Sequence, residues 1–190
     1  MEILLTIDNY EERFCNDSLE LSEEEKDNIK KEVDLGSLSN VDFVNIGPGA
    51  DWIVILLILN IGLQAIKVGA EINDGIDGWI GLGKKLFKLF HRNKIVSVDE
   101  DGATALAINL IAKKEKIDRL EKIQESTINL ADLSGMVRGN KGLSKKPHNY
   151  YIQTYCINNN DVYVIGIKST GKAEIIKHFC YDLNGLVEIK

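Results

Sequence analysis

Proline is nearly absent from this chain of 190 residues, which holds only Pro48 and Pro147. With no repeated tract either, that scarcity argues against a rigid Pro-rich linker or a low-complexity tail. The cysteines number three, Cys15, Cys156 and Cys180, too few and too scattered for a disulfide framework. Two of the three histidines, His91 and His148, have no Cys or His at metal-ligand spacing, and no metal site is expected. No cofactor motif is expected either. The first residues, MEILLTIDNYEERF, lack a basic start and a long apolar core. A secretory leader needs both, so the expected compartment is the cytoplasm, with reduced thiols.

What is present is charge, unevenly spread. The net charge is −6. Residues 1–50 hold thirteen acids against four bases, a balance of −9, which leaves +3 on the rest. A net negative chain is a poor general binder of nucleic acid, where phosphate contacts supply most of the affinity. Two basic clusters stand against that balance: Lys84, Lys85, Lys88, Arg92 and Lys94, then Arg138, Lys141, Lys145 and Lys146. The ordinary reading of each is a solvated face.

The apolar pattern predicts an α+β protein. Residues 2–7 read as a strand. Ser22 and Glu25 form a capping box opening an acidic helix that Gly36 ends. Residues 52–66, WIVILLILNIGLQAI, are apolar all round, and Asp51 as N-cap with the run length predicts a buried helix. A second helix runs from Asp74 to Arg92, with Ile76, Trp79, Ile80, Leu86, Phe87 and Phe90 on its apolar face. IVSV (95–98) is a strand, 102–114 a helix, and 123–128 a strand with a short helix after it. Residues 138–148 form a basic loop. Three β-rich runs then follow, separated by Asn158–Asp161 and Thr170–Lys172, which predicts an antiparallel meander. The expected architecture is a mainly helical N-terminal half, 1–93, packed on a C-terminal half, 94–190. In the latter a helix lies against a three-stranded meander.

Four patterns invite a functional reading. GWIGLGKK (78–85) has phosphate-loop spacing, but Lys85 stands where a Mg²⁺-ligating hydroxyl belongs, and the helical stripe runs through it. Small residues that admit a neighbouring helix explain the glycines. The acids that end IVSV, Asp99 and Asp101, give a short segment that resembles the first motif of the haloacid-dehalogenase phosphohydrolases. That resemblance implies a nucleophilic Asp99, a general-acid Asp101 and a doubly wound core. It covers about six residues, and Ala103 stands where the motif has Thr or Val. Helix capping accounts for the same acids. In His178-Phe179-Cys180 the imidazole and thiol share a strand face, with α-carbons about 7 Å apart, long for a nucleophile pair. Cys180 is expected as a small core hydrophobe and His178 at the rim. Residues 52–92 suggest a membrane-active hairpin. Yet fifteen residues between Asp51 and Lys67 reach about 22 Å as a helix against a hydrocarbon core of about 30 Å.

No convergent acid, base and nucleophile emerges, so the sequence points to a non-enzymatic interaction protein. An inhibitor, an immunity-type protein or an assembly subunit would each suit it. The partner is a protein, met by an acidic surface that includes Glu11, Glu12, Glu23 and Glu24. Two alternatives stand beside it. One is a membrane-surface protein, with Lys84, Lys85, Lys88 and Arg92 facing lipid phosphates and Trp79, Phe87 and Phe90 in the acyl boundary. The other is a phosphate-handling hydrolase using Asp99 and Asp101.

Overall fold

A computed structural model describes residues 1–6, 23–24, 27, 31, 37–45, 53–60, 66–69, 71–72, 75–91, 95–129, 149–182 and 185–189. The elements in chain order are β1 (Glu2–Thr6), β2 (Ser37–Asn45), β3 (Ile53–Asn60), β4 (Glu71–Ile72), α1 (Ile76–His91) and β5 (Ile95–Val98). They continue with α2 (Glu100–Ala112), β6 (Leu120–Asn129), β7 (Asn149–Ile157), β8 (Asp161–Lys168), β9 (Ala173–Asp182) and β10 (Gly185–Glu188). The fold is mixed α+β. Glu23, Glu24, Asp27 and Lys31 are helical and exposed, and the rest of the acidic helix expected there lies outside the described residues.

Two sheets form, in the orders β2-β3-β1-β5 and β10-β9-β8-β7-β6-β4. Every described pairing is antiparallel. The doubly wound core implied by the haloacid-dehalogenase resemblance is therefore not what these strands build. The expected helix over 52–66 is also corrected, because residues 53–60 are strand β3, bonded on one edge to β1 and on the other to β2. A strand with neighbours on both edges can be apolar along its whole length. Ile and Val, stiff at χ1, favour it over a helix.

The C-terminal meander forms where the turn residues put it, and it belongs to a larger sheet. Asn158 and Asn159 take φ of 52° and 61°, a left-handed geometry that Asn tolerates, and so close the β7–β8 hairpin. β6 and β4 extend the meander on one side and β10 on the other, which makes six strands where three were expected. The strand expected at 123–128 spans Leu120–Asn129, and the helix expected after it lies outside the described residues.

α2 sits between α1 and the inner face of this sheet, touching β7, β8 and β9, while its start meets β1 and β5. That position explains a helix buried nearly all round, from Gly102 through Asn109 and again at Ile111. α1 turns Ile76, Trp79, Leu82, Leu86 and Leu89 into the core. Phe87, expected on that face, is 37% exposed and lies under the Lys113 ammonium, 4.1 Å from the ring centroid. The buried stripe follows the 79–82–86–89 line, and Phe87 is about 100° around the helix from Leu86. Gly83 lets the helices meet. A Cβ there would lie 2.2 Å from Ala105 O and 2.6 Å from Asn109 Cβ.

Candidate functional site

Asp161 opens β8 directly after the Asn turn, and the strand register decides what it faces. Tyr163 pairs with His178 and Asp161 with Cys180, so all four share the inner face of the sheet, with Asp161 diagonal to His178. This depends on an irregularity. Ile165 pairs with Ile175 but Val164 with Lys177, which makes Ile176 the extra residue of a bulge. A regular ladder from the turn would set Lys177 opposite Tyr163 and send His178 to the other face.

His178 Nε2 lies 2.9 Å from Asp161 Oδ1. Its ring stacks on Tyr163 with centroids 4.0 Å apart and planes 11° from parallel. Glu115 reaches the same place from the turn after α2, where its backbone N–H donates to Ile111 O at 3.1 Å. The Tyr163 hydroxyl is pushed well above the usual phenol range, chiefly by burial and then by the neighbouring Glu115 and Asp161 carboxylates. Glu115 Oε1 is buried without a hydrogen-bond partner. One ligand atom each from Glu115, Asp161 and His178 lies within 4.8 Å of the other two. A cavity of about 600 Å³ adjoins, lined by Lys114, Tyr163 and His178 among others. Another, of about 700 Å³, lies where α1 meets the end of α2. It is lined by Glu115, Lys84 and Asn109, and the Asn109 Oδ1 is buried without a partner.

Elsewhere under α2 a polar network closes on itself. Lys122, its side chain 3% exposed, pairs with Glu125 at 2.6 Å and reaches Thr104 Oγ1 at 3.2 Å. Gln153 Nε2 donates to Glu125 at 2.6 Å and to Thr104 at 3.1 Å, and the Tyr155 hydroxyl donates to Gln153 Oε1 at 2.8 Å. A buried ammonium needs such partners to be tolerated at all, and this set ties α2 to β6 and β7.

The residues singled out from sequence fall as follows. GWIGLGKK lies wholly within α1, and Lys84, Lys85 and Lys88 are exposed, whereas Arg92 is outside the described residues. Asp99 is the N-cap of α2 and accepts from Gly102 N at 3.0 Å. Asp101 lies 3.7 Å from the N-terminal ammonium. Glu23 and Glu24 are exposed, and Glu11 and Glu12 fall outside the described residues. Trp79, assigned to lipid by the membrane reading, is 2% exposed in the core. No described helix is long and apolar enough to cross a membrane. Cys180 is half-buried at the sheet margin rather than a core residue. The partner of His178 is Asp161. Neither Asp161 nor Glu115 carries a sequence signal as a site residue, since one reads as a turn and the other as a solvated charge. No known family, curated protein or solved structure matches the chain.

Proposed function

We propose that this chain is a non-enzymatic protein-binding protein that takes an extended segment of its partner along β10. The observation carrying this reading is the apolar outer edge of the six-stranded sheet. Among the described residues β10 is its terminal strand; Leu186 and Val187 on it, Ile189 just after it and Tyr181 on the adjoining β9 are 42–53% exposed. Ile189 N donates to His178 O at 2.8 Å, so the antiparallel alternation turns the backbone N–H and C=O of Leu186 and Glu188 away from β9. Such an edge offers main-chain hydrogen bonds to an added strand and apolar side chains to hold it. The exposed acids Glu23 and Glu24, with Glu11 and Glu12, would steer a basic partner over long range.

Affinity capture from the native host tests this with three proteins in parallel: the wild type, Leu186→Lys/Val187→Lys, and Gln at the four acidic positions. The edge variant should lose a partner that the wild type retains. The acidic variant should keep it with slower association and a weaker dependence on salt. A partner set that is the same for all three would overturn the proposal.

A further inference from the structure

We propose that Glu115, Asp161 and His178 form a binding site for a divalent first-row transition ion, with Zn²⁺ as the reference ion. Three features of the cluster point to a cation. Two carboxylates converge on one imidazole nitrogen in a half-buried place, where like charges need a compensating positive one. Glu115 Oε1 is buried with no hydrogen-bond partner, and a buried carboxylate oxygen left bare is costly. The His178 ring is already held by its stack on Tyr163, so binding would not have to freeze it.

The donor set indicates the class of ion. One imidazole nitrogen with two carboxylate oxygens suits Zn²⁺ and its first-row neighbours, whereas Mg²⁺ and Ca²⁺ prefer all-oxygen shells. Ligand atoms around a tetrahedral Zn²⁺ lie about 3.4 Å apart, from metal–ligand distances of about 2.1 Å. The observed separations, within 4.8 Å, would close by small side-chain rotations. His178 Nε2 would exchange its contact with Asp161 for the metal, leaving Nδ1 as the protonated nitrogen. The three ligands come from the turn after α2, the start of β8 and the middle of β9. A bound ion would therefore pin the end of the helix to the sheet.

The test is calorimetric titration of the full chain, first stripped with chelator, with Zn²⁺ and separately with Mg²⁺. The wild type should bind one Zn²⁺ per chain and show a raised unfolding temperature with the metal, and Mg²⁺ should do neither. His178→Phe keeps a ring on Tyr163 and removes the nitrogen, and Glu115→Gln and Asp161→Asn remove the charges. Each should weaken binding at least tenfold and abolish the thermal shift. A His91→Ala/His148→Ala control should bind like the wild type. If His178→Phe fails to fold, Glu115→Gln decides by the same two readouts. No binding by the wild type, or binding that survives both His178→Phe and Glu115→Gln, would overturn the site.

Discussion

Two glycines of α1 separate what a residue does for its helix from what it does for its neighbours. Gly81 and Gly83 both sit in the helix interior, where Ala is preferred by about 0.5–1 kcal/mol. A Cβ at Gly81 meets nothing within 4 Å, while one at Gly83 would enter the Ala105 carbonyl at 2.2 Å. Gly81→Ala should therefore stabilise by about 0.5–1 kcal/mol. Gly83→Ala should destabilise by about 1–3 kcal/mol, because the clash is with backbone that cannot rotate aside. Urea unfolding of both variants checks this, and equal shifts would mean that the helices do not meet at Gly83. At this scale the sequence was half legible. The role of small residues in GWIGLGKK could be read, but not which glycine is the contact. The Glu115, Asp161 and His178 grouping was hidden, since it joins residues up to 63 positions apart through a register that depends on one bulged residue, Ile176.

α2 shows how an element can present apparent catalytic groups for structural reasons. Asp99 accepts from Gly102 N at 3.0 Å, and Glu100 and Asp101 add negative charge at the positive end of the helix. Asn caps as well as Asp, so Asp99→Asn should leave stability within about 0.5 kcal/mol, whereas Asp99→Ala should cost about 1 kcal/mol. Thermal unfolding of the pair measures the cap. A phosphatase assay on the stable Asn variant then tests the hydrolase reading free of folding effects. Local chemistry of this kind was legible: a cap at Asp99 or Asp101, the Asn turn and the hairpins lie in short sequence windows, and the structure selects Asp99. Strand β3 was not, because residues 53–60 are apolar in both periods, and strand neighbours 2–6 and 37–45 decide the outcome. The edge additions β4 and β10 are two and four residues long, too short to show a period of their own.

Across the whole molecule, the tyrosines beneath the helices tie stability to pH. Tyr151 is 2% exposed, and its hydroxyl donates to Val98 O at 3.1 Å, joining β7 to β5. Burial pushes its pKa from 10.0 up to about 12, and burial raises Tyr155 as well. An unfolded tyrosine ionises near pH 10, so above that pH the unfolded chain releases a proton that the folded chain keeps. The stability from holding Tyr151 neutral is thus fully present below pH 10 and falls as the pH rises toward 12. At about 1.4 kcal/mol per pH unit, the loss over two units is of order 2–3 kcal/mol from this residue. Tyr151→Phe removes both the hydrogen bond to Val98 and the ionisation. At pH 7 it should be the less stable protein by about 1 kcal/mol. Urea unfolding at pH 7, 10 and 11 should show that deficit shrinking above pH 10, with the order inverting as the pH approaches 12. A difference that stays constant from pH 7 to 11 would mean that Tyr151 ionises alike in both states, and the β7–β5 contact would then be open to water.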